Sequence, residues 1–341
     1  MQSLESQLKQ YAREIRFSLV GIAAAGPADH FDRFEAWLDQ GYQGQMAYMQ
    51  DQAEARRRPD AILPDVRSVI MLGMDDDQQV ESQPGDHPIP KHPAKVARFA
   101  RGGDYHQVLW DRLRQIQVWL ERAMPGCRTR GVADSAPLLE REFARRAGLG
   151  WFGKNTMLIN KHRGSFILLG AVLTDVKLKP DEAHERAHCG TCTACLEACP
   201  TDAFPAPGVL DARKCISYLN IEVKGPIPEQ HRKDLGDWLY GCDICQDVCP
   251  WNRKAYGGPD VYEAEEILAL TPDEYNRRFR HTTMHRAKRR GLARNAAIIL
   301  GNTGDPEALS ALRSALSDTE ESVRDAAAWA IEQIESRIGG H

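Results

Sequence analysis

Eight of the nine cysteines of this 341-residue chain fall in one short stretch, between Cys189 and Cys249. The first block reads Cys-x2-Cys-x2-Cys-x3-Cys-Pro and the second reads Cys-x2-Cys-x3-Cys-Pro, with one cysteine between them. Three thiolates at this spacing can hold three corners of an iron–sulfur cube, while the cysteine before proline reaches a second cube. The pattern predicts two 4Fe-4S clusters, one on Cys189, Cys192, Cys195 and Cys249, the other on Cys199, Cys215, Cys242 and Cys245.

Zinc is the alternative ligand, because paired Cys-x2-Cys motifs also build zinc ribbons. The row of three cysteines that ends in Cys-Pro favours the cubes. A disulfide scaffold is not expected, since the opening sequence MQSLESQLKQYAREIRF lacks the apolar segment of a secretion signal. We therefore expect a reducing, cytoplasmic compartment, and Cys127 is left as an ordinary thiol.

The composition describes a globular protein, with 42% hydrophobic and 27% charged residues and a formal net charge of -4. These values exclude global disorder and a general nucleic-acid coat. No apolar run approaches the roughly 20 residues that cross a bilayer, so no membrane partner is expected. Residues 277–304, however, contain eight Arg or Lys and no Asp or Glu. Such a stretch either supplies phosphate contacts to a nucleic acid or forms a solvated helical face.

The elements that must position the cysteines are a mixture of helices and strands. Amphipathic stretches predict helices over Leu4–Phe17, His30–Gln40, Val108–Met124 and Pro137–Ala147. Short apolar runs predict buried strands at Ser68–Gly73, Asn155–Ile159 and Ser165–Thr174. Residues Asp75 to Pro93 have the composition of an exposed loop. The predicted class is α+β, built on an α/β core.

After Pro259 the pattern is helical and repeats. The string Arg294-Asn-Ala-Ala is followed thirty residues later by Arg324-Asp-Ala-Ala, with a Gly-Asp-Pro turn and a helix over Glu307–Leu316 between them. This arrangement is typical of a HEAT-like repeat, although a plain helical tail is the alternative. The expected division is a domain at 1–180, a ferredoxin-like domain at 181–258 and a helical HEAT-like region at 259–341.

Several strings of the sequence closely resemble the epoxyqueuosine reductase family, and they occur in order over nearly the whole chain. They are Ala97–His106, Asp134–Arg141, Gly150–Thr156, Gly164–Phe166, Cys215–Leu219, Lys224–Pro228, Tyr240–Cys245 and Arg286–Asn295. The resemblance implies an enzyme that reduces the epoxide of epoxyqueuosine, at the wobble position of tRNA, to queuosine with release of water. It also implies a cofactor domain related to reductive dehalogenases, with base-off cobalamin and two 4Fe-4S clusters.

The resemblance also implies roles for individual residues. Asp134 matches the family's proton donor, and a donor at neutral pH needs a raised pKa. The implied cobalamin contacts are Arg56, Arg98, Tyr105, His106, Gly153, Lys154, Asn155, Ser165, Ser217 and Asp243. The implied tRNA contacts are Arg278, Arg280, Arg286, Lys288, Arg289, Arg290 and Arg294. His106 is not expected to ligate cobalt, because a basic axial ligand stabilises the higher oxidation states. We expect a monomer that receives electrons from a flavodoxin or a ferredoxin.

The sequence also permits simpler interpretations of Asp134 and of the whole chain. Asp134 in Asp-Ser-Ala-Pro also has the pattern of a helix N-cap, with proline in the first turn. The chain as a whole could be an electron-transfer protein that serves a partner enzyme, a HEAT-type RNA-binding adaptor, or a reductive dehalogenase. Corrin absorbance would separate the reductase from the pure electron carrier.

Overall fold

The computed structural model describes residues 2–76, 90–134, 136–255 and 257–339. The helices are α1 Leu4–Glu14, α2 Phe31–Asp39, α3 Ala47–Asp51, α4 Ala53–Arg57, α5 Tyr105–Ala123, α6 Glu140–Arg146, α7 Ala194–Glu197, α8 Ile216–Ile221, α9 Glu229–Arg232, α10 Ile244–Asp247, α11 Ala264–Ala269, α12 Pro272–Phe279, α13 Lys288–Thr303, α14 Leu309–Ala315 and α15 Glu321–Gly339. The strands are β1 Leu19–Ala24, β2 Ser68–Asp75, β3 Pro93–Val96, β4 Thr129–Val132, β5 Trp151–Phe152, β6 Leu158–Ile159, β7 Ile167–Thr174, β8 Trp238–Tyr240 and β9 Asp260–Glu263.

A four-stranded sheet in the order β1-β2-β7-β4 forms the centre of the N-terminal half. All three of its strand pairings are antiparallel. The chain is therefore α+β, as predicted, but the description of its core as α/β is wrong. An α/β core is built from βαβ units, whose crossover connections join parallel strands.

Helices cover both faces of this sheet. Along β2, Ile70 and Leu72 pack with α1 and α5, whereas Val69 and Met71 pack with α6. Successive residues of a strand point to opposite faces, so a strand covered on both sides is apolar at every position. Each fully buried Leu or Ile of this kind stabilises the fold by about 1.5–3 kcal/mol. The sheet is thus a rigid base, and the loop after β4 carries Asp134.

A second sheet joins all three predicted segments of the chain. Its order is β8-β3-β9, with β3 parallel to β8 and antiparallel to β9. Side chains of β3, α8, β8, α11 and the C-terminal helices pack in one continuous core. The cysteine-rich segment has few aliphatic residues of its own, and it is held by this shared core. The division into three domains stays a prediction.

Helix α13 is the centre of the C-terminal region, where it packs against α11 and α15. Every residue from Gly291 to Gly301 is buried, which explains the run of alanine and isoleucine. Asn295 donates hydrogen bonds of 2.8 Å and 2.9 Å to the carbonyls of Asn220 and Leu239. Asn220 in turn is bonded to the backbone of Gly241, directly before Cys242. This buried network links α13 to the turn that presents Cys242.

Most predicted elements in the N-terminal half are present with shifted ends. The predicted helix at Pro137–Ala147 begins only at Glu140, and the predicted strand at Asn155–Ile159 is reduced to Leu158–Ile159. Strands β1, β3, β4 and β5 were not predicted. Most of the predicted loop between Asp75 and Pro93 lies outside the described residues, and its two ends belong to β2 and β3. In the part of the chain that the structure describes, no helix is long and apolar enough to cross a membrane.

Candidate functional site

The first predicted group of cysteines is assembled around a cavity. Cys189, Cys192 and Cys195 come from the turn before α7 and from α7 itself, and Cys249 follows α10. All four line one cavity of about 250 Å³, together with Lys154, Asn155, Ile159, His188, Pro250 and Trp251. Burial, followed by the charges of Cys189 and Cys249, raises the pKa of the Cys195 thiol. Thiols gathered closely enough to raise one another's pKa are typical of a metal-binding group.

The second group is deeper in the protein. Cys215 is the residue before α8, Cys242 follows β8, and Cys245 lies in α10. Burial, followed by the charges of Cys215, Cys195 and Cys199, raises the pKa of the Cys245 thiol. Cys245 therefore interacts with both groups, which places the two groups next to each other. Adjacent clusters are what stepwise transfer of single electrons requires.

Backbone amides are directed at the cysteine sulfurs. The N–H of Ala203 donates to Sγ of Cys199 at 3.4 Å. Amides of Ser217 and Tyr218 act on Cys215, and those of Trp251 and Asn252 act on Cys249, lowering the pKa of each thiol against the effect of burial. Donors of this kind stabilise thiolates, which are the form that binds iron. The residues present thus fit two iron–sulfur clusters.

The spacing of the sulfurs also bears on zinc. Four thiolates at about 2.3 Å from one zinc ion lie only about 3.8 Å apart. Among the described residues, one group of three or more His, Cys, Asp or Glu has ligand atoms within 4.8 Å of one another, and it contains no cysteine. The cysteine sulfurs are therefore spread more widely than a single zinc ion requires.

Asp134 lies on the loop between β4 and α6, in a left-handed backbone conformation with φ of 48°. Its side chain is 66% exposed, and its Oδ2 is 3.4 Å from His106 Nε2 and 3.5 Å from the hydroxyl of Tyr105. Nδ1 of His106 is 2.7 Å from Oδ1 of Asp104, the N-cap of α5. The start of α5 therefore brings a carboxylate–imidazole–carboxylate series to one place. The helix after Asp134 has Leu139 at its N-cap, so the interpretation of Asp134 as a cap is wrong.

The charges of this series act on one another. The hydrogen bond from His106 lowers the pKa of the Asp134 carboxyl, although the surrounding protein opposes this shift. Burial disfavours the charged imidazole, but Asp134 and Asp104 together raise the pKa of His106. In this arrangement the pKa of Asp134 is lowered, not raised as expected, because its strongest partner is the imidazole of His106.

Glu140 is a site residue that the sequence analysis missed. Its Oε1 accepts a 2.7 Å hydrogen bond from the backbone N–H of Asp134. Burial, followed by the charge of Asp134, raises the pKa of Glu140 to about 8. Its position within the string Asp134–Arg141 could have indicated a role, but only Asp134 of that string was predicted to be a site residue.

Arg141 connects this carboxyl pair to the cysteines. Burial lowers the pKa of its guanidinium, and the charges of Glu140, Asp134 and Cys245 act in the opposite direction. Its Nη1 donates to the carbonyl of Thr156 at 3.0 Å. The guanidinium thus lies within electrostatic reach of both Asp134 and the second cysteine group.

The residues predicted to contact cobalamin fall into two sets. Tyr105 and His106 contact Asp134, and Arg56 is within electrostatic reach of Glu140. The others surround the cysteines instead. Lys154 Nζ donates to the carbonyls of Gly190 and Cys192 at 2.8 Å, and Asn155 Nδ2 donates to the carbonyl of Cys245 at 3.2 Å. The N–H of Arg98 donates to Asp243 at 2.8 Å, and Ser165 Oγ donates to Gln246 at 2.8 Å. The amide of Ser217 acts on Cys215.

Gly153 lies in close contact with the same loop. A Cβ at this position would be 2.5 Å from Oδ1 of Asn155 and 2.6 Å from a methyl of Ile159. Any side chain would therefore displace Asn155 and with it the hydrogen bond to the Cys245 carbonyl.

The basic stretch is divided between surface and interior. Arg278, Arg280, Arg286 and Lys288 are exposed, while Arg289 and Arg290 are half-buried. Arg294 is only 1% exposed and donates to the carbonyls of Leu219, Val223 and Gly225. The prediction that Arg294 contacts tRNA is therefore wrong, because α11 and α15 enclose this part of α13.

Two other cations of the stretch are paired. Arg286 forms a two-pronged ion pair with Glu222, at 2.6 Å and 3.0 Å, and Arg289 pairs with Asp318. The backbone of the stretch approaches the Asp134 site, since the N–H of Asp104 donates to the carbonyl of His281 at 3.0 Å. The basic stretch therefore lies next to the start of α5, which carries His106.

Together these features define a two-cluster iron–sulfur protein with an acid–base site beside the clusters. Residues 188–252 match the 4Fe-4S double cluster binding domain, which confirms the prediction of two clusters. Residues 56–135 match the family epoxyqueuosine reductase QueG, and residues 283–338 match HEAT repeats. The HEAT-like repeat is thereby confirmed.

Individual relatives agree with these matches. The epoxyqueuosine reductase of Pseudomonas aeruginosa is 38% identical over 96% of this chain and 94% of its own length. A crystal structure of epoxyqueuosine reductase with a tRNA-Tyr epoxyqueuosine-modified stem loop matches with a TM-score of 0.88 at 31% identity, covering 97% of this chain and 90% of that one. The enzyme of Streptococcus thermophilus matches with a TM-score of 0.89 at 28% identity, over 98% and 90%. This chain belongs to the epoxyqueuosine reductase family.

Proposed function

We propose that this chain reduces the epoxide of epoxyqueuosine in the anticodon of tRNA, using base-off cobalamin and two 4Fe-4S clusters. The observation that carries the proposal is the position of Arg141, within electrostatic reach of both Asp134 and Cys245. An acid–base site and an electron-transfer centre thus border the same space. A relative of similar fold has been crystallised with an epoxyqueuosine-modified stem loop, which supports tRNA as the substrate.

Buried donors beside the second cysteine group fit a large cofactor rich in hydrogen-bond acceptors. Nε and Nη1 of Arg98 are buried, and among the described residues they have no hydrogen-bond partner. Buried donors without partners cost about 1–3 kcal/mol each, so a ligand acceptor at this position is favoured. Arg98, Arg56 and Tyr105 would face the amides and the phosphate of cobalamin. Bound in its reduced base-off form, cobalamin supplies a low-potential nucleophile that no side chain offers.

The residues around Asp134 supply protons to the departing oxygen. Reduction of the epoxide breaks both C–O bonds, forms one C=C bond and releases water, so it consumes two electrons and two protons. Asp134 is accessible to the substrate, and the imidazole of His106, whose pKa Asp134 and Asp104 raise, lies 3.4 Å from its carboxylate. His106, which Asp104 orients, passes a proton through the Asp134 carboxyl to the departing oxygen, and the second proton comes from solvent, to which Asp134 is exposed. Long hydrogen bonds of this kind tighten when substrate is bound.

Electrons reach the site singly through the cysteine-bound clusters. We assign Cys189, Cys192, Cys195 and Cys249 to the outer cluster, and Cys199, Cys215, Cys242 and Cys245 to the inner one. Cys245 of the inner set is within electrostatic reach of Arg141, so we take the inner cluster as the immediate donor. A flavodoxin or a ferredoxin is the proposed external source, and a monomer in the cytoplasm is the proposed working state.

The exposed cations provide a path for the anticodon stem. Arg278, Arg280 and Lys288 are exposed, and the backbone at His281 is bonded to Asp104. Phosphate contacts from these side chains would hold the stem while the modified nucleotide turns into the site, as enzymes that act on a base require. Residues 259–339 therefore serve as the proposed tRNA-binding region.

The test is anaerobic turnover of tRNA carrying epoxyqueuosine, with absorbance spectra of the protein supplied with cobalamin. Asp134→Ala should retain cluster and corrin absorbance but lose about 10²–10⁴-fold in rate, the usual contribution of a general acid. Asp111→Ala, an exposed acid on α5, is the matched control and should keep full activity. Full activity of Asp134→Ala would refute the acid role. A wild-type protein that shows clusters but no corrin bands would support the electron-carrier alternative.

A further inference from the structure

A buried histidine and two carboxylates meet where β3 begins and β9 ends. His92 precedes β3, Glu263 is the last residue of β9, and Glu265 lies in the first turn of α11. One ligand atom from each residue, a ring nitrogen or a carboxylate oxygen, lies within 4.8 Å of the other two. None of the three takes part in the cysteine groups or in the Asp134 site. The function proposed above assigns no role to this cluster.

The backbone holds the three residues in fixed positions. Pro93 is paired with Glu263 in the β3–β9 register, and the N–H of Ala264 donates to the carbonyl of His92 at 3.0 Å. The N–H of His92 donates to both oxygens of Glu263 at 3.1 Å and 3.2 Å. Ligands placed on paired strands are more precisely held than ligands on loops. The arrangement is therefore preorganised.

The contacts of the imidazole are unusual for a simple ion pair. The side chain of His92 is only 4% exposed, and its Nδ1 is 2.8 Å from Oε1 of Glu265 and 3.7 Å from Oε1 of Glu263. Nevertheless, within the described structure Nδ1 has no hydrogen-bond partner of acceptable geometry. An oxygen that is close to a ring nitrogen without accepting its proton is expected where both atoms bind a third centre. Two ligands at about 2.1 Å from one tetrahedral ion lie about 3.4 Å apart, between the two distances found here.

The other ring nitrogen faces a carboxylate. Nε2 of His92 is 3.6 Å from Oδ1 of Asp305, and Asp305 also pairs with Lys91 at 3.2 Å. Metal-binding histidines usually have a carboxylate or carbonyl on the nitrogen that does not bind the metal, because this contact fixes the tautomer. Lys91 compensates the charge of Asp305, so the two glutamates are left to balance a divalent ion.

We propose that His92 Nδ1 and the carboxylates of Glu263 and Glu265 bind one divalent transition-metal ion, for which Zn²⁺ is the best match. Zinc accepts both imidazole nitrogen and carboxylate oxygen as ligands, and neither sulfur nor a ring of six oxygens is present at this cluster. The ion joins the segment before β3 to β9 and α11. Its role is structural, because it fastens the shared sheet to the C-terminal helices.

The competing explanation is a protonated His92 that pairs with the carboxylates and binds no metal. The two explanations differ in uptake of zinc, which can be measured on the whole protein with its clusters in place. We would prepare the protein with its clusters in place but without zinc, and titrate it anaerobically with Zn²⁺ by calorimetry. Cluster absorbance would be followed during the titration. Intact absorbance excludes displacement of iron from the cysteines.

The wild-type protein should bind one equivalent of Zn²⁺ without loss of cluster absorbance. Glu265→Gln removes one ligand from a partly exposed position, so it should fold and bind at least about tenfold more weakly. Glu307→Gln is the matched control. Glu307 is exposed, pairs with Lys91 and is not one of the three ligands, so the affinity of this variant for Zn²⁺ should be unchanged. The proposal is overturned if the wild type binds no Zn²⁺, or if Glu265→Gln binds it as tightly as the wild type.

Discussion

The backbone N–H of Asp134 donates a 2.7 Å hydrogen bond to the side chain of Glu140, the first residue of α6. Asp134 has a φ of 48°, a conformation that costs a residue with a side chain about 1–2 kcal/mol. The bond to Glu140 offsets this cost and fixes the direction of the Asp134 carboxyl. Glu140 is therefore a positioning residue for the proposed acid.

Removal of this bond should slow the reaction without affecting the clusters. We expect Glu140→Ala to lower kcat by about 10²-fold, the cost of a misplaced reacting group. Glu140→Gln keeps an oxygen that accepts the Asp134 N–H, so it should retain most of the activity at pH 7. Anaerobic kinetics with iron analysis test this pair, and equal rates for wild type and Glu140→Ala would contradict the positioning role.

The same residue predicts how stability depends on pH. Burial, together with the charge of Asp134, raises the pKa of Glu140 from 4.5 to about 8 in the folded chain. Between these values the folded chain holds a proton that the unfolded chain releases, so the carboxyl lowers stability as pH rises through this window. Glu140→Gln does not titrate and should lose less stability between pH 5 and pH 8. Thermal unfolding of both proteins at several pH values measures the difference, and parallel pH curves would contradict it.

The cysteines were predictable from sequence because cluster ligands repeat at short, fixed spacing. Glu140 was not, because its role depends on α6 beginning at residue 140 rather than at Pro137. Strand β1 was missed since Gly21 interrupts its apolar pattern, and the reason for that glycine is tertiary. A Cβ at Gly21 would lie 2.1 Å from the carbonyl of Ala147 at the end of α6. The sequence around residue 21 carries no information about this close contact with a distant part of the chain.

The assignment of ligands to clusters predicts separable losses of iron. Cys215→Ala removes a ligand of the inner cluster only, so iron should fall from about eight to about four atoms per chain. Cys195→Ala should produce the same loss from the outer cluster. Cys127→Ala is the control and should keep all the iron, because Cys127 packs near α5, away from both groups. Iron and sulfide analysis with electron paramagnetic resonance tests this, and full iron in Cys215→Ala would contradict the assignment.

The composition of the basic stretch could not show that Arg294 is buried while other arginines of the stretch are exposed. Residues 277–304 are uniformly basic in sequence, yet burial is decided by the helices that pack on α13. Arg294 caps the carbonyls at the end of α8, so its side chain supports the helix that begins after Cys215. Exposed Arg280 has no such contact within the described residues. The two arginines should therefore respond differently to substitution.

Arg294→Met leaves buried carbonyls without donors and should lower the free energy of unfolding by about 3 kcal/mol, while the salt dependence of tRNA binding is unchanged. Arg280→Ala should leave stability within about 0.5 kcal/mol, because surface changes seldom exceed that. It should instead weaken tRNA binding and reduce the slope of log K against log salt by about 1, the effect of one lost phosphate contact. Chemical denaturation and binding at several salt concentrations measure both quantities. If Arg280→Ala left the salt slope unchanged, the anticodon stem would have to lie elsewhere on the protein.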